Sequence, residues 1–165
     1  MEKTQIGSNA LVKIMDIEDV PAKIDTGADS TSVWASDIKV SKDGVLSFKL
    51  FAPDSPFYTG ETISRTDYGA VWLRNAHGGE KLAYRTHLPI CIAGRTIRAR
   101  VSLTDRSKNK FPILIGKLTI RGKFVVDVSE SAVKTPKVYR PESINSELKQ
   151  DPYAFHQKYF KKEQQ

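Results

Sequence analysis

The chain has 165 residues, 39% hydrophobic and 27% charged, with 26 Lys and Arg against 19 Asp and Glu, for a net charge of +7. That length suits one domain with a normal core, and the composition excludes a globally disordered chain. The single cysteine, Cys91, excludes an internal disulfide or a cysteine-rich zinc knuckle, and no apolar run approaches the roughly 20 residues of a membrane helix.

Strands dominate the pattern. Ala10 to Met15 and Val20 to Ile24 are short apolar runs with β-branched content. Val45 to Phe51 alternates, placing Leu46, Phe48 and Leu50 on one face. Val71 to Arg74 and Lys81 to Thr86 flank the turn residues His77-Gly78-Gly79, a hairpin signal. A clearer hairpin runs from Ile90 through the turn Ala93-Gly94-Arg95 to Leu103. Its second arm alternates Ile97, Ala99, Val101 and Leu103 with Arg98, Arg100 and Ser102, so both arginines are expected outward. Phe111 to Ile115 reads as a strand buried on both faces, Gly116 to Ile120 as one short helical turn, and Lys123 to Val128 as a last strand. Many short strands with turns between them predict an all-β domain over residues 1–134.

Residues 135–165 are polar, broken by Pro136 and Pro141, and lack alternation. Ser143 to Lys149 is a candidate short helix. Asp151-Pro152 is a second helix start, with Asp as N-cap and Pro at the first helical position. Tyr153, Phe155, Tyr159 and Phe160 would then form an apolar stripe. This tail either packs on its own domain or frays, or it docks another chain.

The segment that carries chemistry is Ala22-Lys23-Ile24-Asp25-Thr26-Gly27-Ala28-Asp29-Ser30-Thr31. An apolar strand ends in an acidic residue, and Gly27 permits tight backbone geometry and close approach of another chain. About 90 residues later comes Phe111-Pro112-Ile113-Leu114-Ile115-Gly116, an apolar strand ending in glycine. The pair resembles the retropepsin-like aspartic proteases, with their Asp-Thr/Ser-Gly-Ala loop and a later apolar-apolar-Gly strand beneath it. The His77-Gly78-Gly79 hairpin stands where those enzymes carry a flap. Ile92-Ala93-Gly94-Arg95, Leu103-Thr104-Asp105-Arg106-Ser107 and Gly122-Lys123-Phe124-Val125-Val126-Asp127 extend the resemblance over residues 6–133. With them the chain looks closest to a bacterial subfamily called ATP-dependent zinc proteases, often found beside ATP-grasp ligases that add glutamate to proteins.

The resemblance implies a closed retropepsin-like β-barrel, the acid protease fold, and an aspartic endopeptidase. Two carboxylates must share one proton, because like charges about 3 Å apart cannot both ionise cheaply. Asp-Thr-Gly occurs once, so a homodimer with Asp25 from each subunit is expected. Thr26 would hydrogen-bond across the two-fold axis. Gly27, Ala28, Asp29 and the flap residues His77, Gly78 and Gly79 would meet the substrate. Two departures stand out. Lys117 replaces the usual Arg, which would fork onto Asp29, so a weaker Asp29–Lys117 contact is expected. Asp29-Ser30-Thr31 is nearer to viral retropepsins than to the Arg-Thr-Ser of the bacterial subfamily, so substrate preference should differ.

The positive charge favours an acidic partner: nucleic acid, anionic membrane or acidic polypeptide. Arg95, Arg98, Arg100, Arg106, Lys108 and Lys110 fall in one short stretch, read either as a solvated hairpin face or as a patch for acidic peptides such as polyglutamate tails. No nucleic-acid-binding motif accompanies the charge. His77, His87, His156 and Cys91 lack zinc-site spacing, and no phosphate-cradling loop is present, so neither a metal nor a nucleotide cofactor is expected. Cys91 reads as a buried, inert thiol. Met1 to Gln5 lacks the apolar stretch of a secretory signal, so a soluble cytoplasmic protein is expected. The alternative to catalysis is an inactive peptide-binding or dimerisation module of the same fold.

Overall fold

The computed structural model describes residues 2–135 and 143–161. The chain divides into two units, Met1–Lys134 and Thr135–Gln165. The first is mainly β. In chain order its strands are β1 (Thr4–Ile6), β2 (Asn9–Ile14), β3 (Ile17–Ile24), β4 (Thr31–Val40), β5 (Leu46–Leu50), β6 (Thr62–Arg65), β7 (Gly69–Arg74), β8 (Glu80–Ile92), β9 (Arg95–Thr104), β10 (Ile113–Ile115) and β11 (Phe124–Val126). One helical turn, α1 (Lys117–Ile120), follows β10.

Six strands close a ring. β10 pairs in parallel with β3, β3 with β2, β2 with β8, β8 with β9, and β9 in parallel with β4. An antiparallel pairing of β4 with β10 then completes the barrel. Closure satisfies the backbone without leaving a sheet edge, and period-two alternation fills the interior. Val12, Ile14, Val20, Leu88, Ile90 and Val101 are all at most 1% exposed. β5 extends the outer part of β4 and carries β6, while β7 pairs with the first half of β8. β1 and β11 form a separate two-stranded parallel sheet.

Most predicted elements are present. Leu46, Phe48 and Leu50 share the buried face of β5. The β8–β9 hairpin turns on Ala93 and Gly94 alone, with Ile92 opposite Arg95. Both turn residues have positive φ (47° and 79°), as the tightest hairpin turn requires.

Several details differ from expectation, three of them near the barrel's seam. β4 was not anticipated, because its letters (Thr-Ser-Val-Trp-Ala-Ser-Asp-Ile-Lys-Val) look like a polar loop. Thr31, Val33, Trp34 and Ala35 are nevertheless buried where β4 is wedged between β9 and β10. A register shift between Ser36 and Lys39, with Asp37 at φ 50°, breaks the alternation that would have revealed it. Ser102, alternating with the outward arginines, is fully buried. Leu114 is only half-buried, so β10 is covered on one face and partly open on the other.

The second unit contains α2 (Ser143–Gln150) and α3 (Pro152–Phe160). Asp151 caps α3 by accepting a hydrogen bond from the Ala154 amide at 3.0 Å. The two helices are tied together through Glu147, which accepts from Lys158 Nζ at 2.8 Å and from the Tyr159 hydroxyl at 2.9 Å. Phe155 packs on Tyr159 and Phe160, whereas Tyr153 stands free of this group at 73% exposure. The proline breaks expected at Pro136 and Pro141 lie outside the described residues. Among the described residues, no helix is long and apolar enough to cross a membrane.

Candidate active site

β3 delivers Asp25 to the rim of the barrel. Its amide donates to the Ile115 carbonyl at 2.9 Å, continuing the β3–β10 ladder by one bond. The chain then turns sharply, and Asp25 Oδ1 accepts from the amides of Gly27 (3.0 Å) and Ala28 (3.2 Å). An Asp side chain folded onto its own backbone in this way fixes the loop and the carboxylate together. Oδ2 has no hydrogen-bond partner among the described residues. Asp25 is half-buried, and Thr26 and Gly27 are exposed.

The loop rests on the segment after β10, as the resemblance implied. Gly116 lies so close that a Cβ there would sit 2.6 Å from the Ser30 carbonyl carbon and 3.0 Å from the Ala28 oxygen. Its amide donates to Thr31 Oγ1 at 3.1 Å, and that hydroxyl meets Thr119 Oγ1 at 2.6 Å in a buried pair. The amides of Lys117 and Leu118 donate to the carbonyls of Ala28 (2.7 Å) and Asp29 (3.2 Å). Four backbone or hydroxyl contacts therefore hold the loop from below, independent of any side-chain charge.

Asp29 and Lys117 do meet, at 2.9 Å. The ammonium hydrogen-bonds the carboxylate and attracts it, holding Asp29 below the ordinary carboxylate range. A group with a lowered pKa contributes above its ordinary value, and the contribution is lost as pH falls through the lowered one. Both side chains are largely exposed, so the pair adds little to stability. Lys117→Ala should return Asp29 to ordinary titration, read from its carboxyl NMR shift between about pH 2 and pH 6. An unchanged titration would assign the depression to another group.

A groove of about 660 Å³ runs beside this loop. Ala28, Asp29 and Ser30 form one wall, and Trp72, Arg74 and Lys81 of the β7–β8 hairpin form another. Thr104 and Arg106 line it from the end of β9. Asp25, Thr26 and Gly27 are not among its lining residues, and neither are His77, Gly78 and Gly79. The last three form the exposed hairpin tip, where Asn75 Oδ1 accepts from the amides of His77 (3.0 Å) and Gly79 (2.9 Å) and Gly78 has φ 81°. Sequence reasoning missed Trp72, Arg74, Lys81 and Thr104, whereas Arg106 belongs to the basic stretch it read as a possible patch for acidic peptides. The structure marks this wall in a way the sequence does not: Trp72 stands directly opposite Leu82 in the hairpin, and the two are 63% and 55% exposed. An exposed cross-strand apolar pair is unusual away from a binding surface.

The basic stretch does not form one patch. Arg106 faces the groove, whereas Arg98 and Arg100 lie on the outer face of β9, with Arg98 3.8 Å from Asp67. Arg95 donates to the Lys123 carbonyl at 2.7 Å and covers the Phe124 ring. His87 stands opposite Arg100, and its pKa is lowered by burial first and by the charge of Arg98 next. Cys91 shares the outward face of β8 and is half-buried rather than buried, because that face looks away from the core. Among the described residues no three His, Cys, Asp or Glu side chains gather to hold a metal. The described side chains do not fit the zinc in the bacterial subfamily's name.

Comparison with known proteins agrees with this geometry. A solved structure of a Legionella pneumophila protein of unknown function (DUF785) shares the fold, with a TM-score of 0.62 at 21% identity, over 79% of this chain and 97% of that one. No curated protein matches the chain. A family model described as RimB-like, retropepsin-like aspartic endopeptidase RimB, matches residues 6–137. With that match spanning most of the sequence, and the closed barrel holding an Asp-Thr-Gly loop over the β10–Gly116 segment, the chain belongs to the RimB-like family of retropepsin-like aspartic endopeptidases.

Proposed function

We propose that the chain is an aspartic endopeptidase active as a homodimer, with one Asp25 from each subunit. The observation that carries this reading is the Asp25 carboxylate itself, anchored through Oδ1 by two loop amides with Oδ2 unengaged. A single anchored carboxylate is half of the required machinery. Two of them facing each other share one proton and titrate as a pair. The ionised member takes a proton from water, and the protonated one donates a hydrogen bond to the scissile carbonyl as the hydrated intermediate forms.

Thr26 braces the two loops across the axis, and Gly27 offers backbone contacts to the substrate. Ala28 and Asp29, with the hairpin tip His77, Gly78 and Gly79, complete the substrate contacts. The substrate is an acidic peptide, and a polyglutamate tail added by an ATP-grasp ligase fits that chemistry.

The dimer can be tested by dilution. Specific activity on a fluorogenic Glu-rich peptide should fall as protein is diluted through the dissociation constant measured by sedimentation equilibrium. Activity per mole that stays constant into the monomer range would exclude a shared site.

A further inference from the structure

Among the described residues, Arg106 is a cation without a counter-ion. It leaves β9 beside Thr104 and lines the groove that Ala28 to Ser30 also line. Its Nε donates to the Phe111 carbonyl at 3.0 Å, and its own carbonyl accepts from the Asn109 amide at 2.9 Å, so the backbone and one nitrogen are fixed. The side chain is half-buried, and burial alone pulls its pKa down, with no carboxylate acting against it. The terminal Nη1 and Nη2 groups have no acceptor among the described residues.

The other charges around the groove differ. Asp29 is engaged by Lys117, Arg74 lies 3.4 Å from Glu80, and Asp105 accepts from the Ser107 amide at 2.9 Å. Lys81 acts on Asp105 from across the groove. A second polar atom is also unmatched there: Thr104 Oγ1 is buried and has no hydrogen-bond partner among the described residues. A partly desolvated guanidinium is unfavourable unless something pairs with it, and its free fork has the shape of a carboxylate.

We infer that Arg106 is a specificity determinant, binding the carboxylate of a glutamate or aspartate side chain of a substrate held in the groove beside Ala28–Ser30. The inference rests on the proposed peptidase reading and adds the residue that selects the acidic side chain. The Nη1–Nη2 edge takes the two carboxylate oxygens, while Nε stays on Phe111. A glutamine in the same place offers one oxygen, no charge, and an amide that opposes the guanidinium.

The test uses peptide pairs that differ only by Glu or Gln at one position, scanned along the peptide. At one position the wild type should favour Glu by about 10- to 100-fold in kcat/KM, the range for a hydrogen bond to a charged group. Arg106→Gln, which keeps an amide donor for the Phe111 carbonyl, should erase that ratio by raising KM for the Glu peptide. Arg106→Lys should restore part of it. A ratio unchanged in Arg106→Gln would overturn the inference. If Arg106→Gln does not fold, as judged by circular dichroism, the same ratio in Arg106→Lys decides, and no reduction there overturns it.

Failure of the peptidase reading is separable. If the wild type cleaves neither peptide, fluorescence anisotropy with labelled Glu and Gln peptides reads the same ratio as binding. Selective Glu binding lost in the variants keeps the role of Arg106, and equal binding of both peptides by the wild type removes it.

Discussion

Asp25→Asn should lower peptide cleavage by about 10²- to 10⁴-fold, the contribution typical of a positioned general acid or base. The fold should survive. Asn retains a side-chain oxygen for the Gly27 and Ala28 amides that Oδ1 now serves, so the loop keeps both bonds. What is lost is the ability to accept and return a proton. Thermal melting and sedimentation should therefore match the wild type while turnover collapses. The variant also reads the stoichiometry of the site. In an equal mixture with wild type, after subunit exchange, about one quarter of the dimers carry two aspartates, and activity should settle near that fraction. Activity near one half would mean that each subunit works alone, and wild-type turnover in the pure variant would remove Asp25 from the chemistry.

Gly116→Ala should be the most damaging small substitution in the barrel. The new methyl would meet backbone atoms, the Ser30 carbonyl and the Ala28 oxygen, rather than a flexible side chain. Relief requires moving the loop that holds Asp25 or breaking the Gly116–Thr31 bond beneath it. Overpacking of this kind costs about 1–3 kcal/mol. That is a fall of several degrees in melting temperature for a chain of this size, accompanied by loss of activity. Gly69→Ala is the control. Gly69 has open space around its Cβ position and no positive φ, so its melting temperature should stay within about a degree of wild type. Equal melting of the two variants would show that the close approach at Gly116 is relieved without strain.

The Asp-Thr-Gly loop was legible in the sequence because its residues are contiguous. The Asp25 side chain bonds only the nearby Gly27 and Ala28 amides, and Ile113 to Gly116 announces the loop's support by an apolar run ending in glycine. Hairpins were legible for the same reason: each turn and its flanking alternation lie within about 20 residues of one another. The groove was not legible. Trp72, Lys81 and Arg106 come from three different strands or strand ends, and barrel closure alone brings them around Ala28 to Ser30. The basic stretch misled because neighbours in sequence take different directions. Arg100 points outward from β9, whereas Arg106, past the end of the strand, turns into the groove. β4 stayed hidden because burial on both sides and a bulge remove the period on which strand reading depends.

β10 has only three residues, yet it borders both β3 and β4, the strands on either side of the Asp25 loop. Those residues lie some 90 positions downstream, so the loop is closed by one of the longest-range contacts in the domain. During synthesis the first nine strands emerge before their seal does. A chain ending ahead of Ile113 lacks both the Ile115 carbonyl and the Gly116 segment that hold the Asp25 loop. The hydrolysis proposed for Asp25 therefore depends on β10, and a chain cut ahead of Ile113 should show none of it.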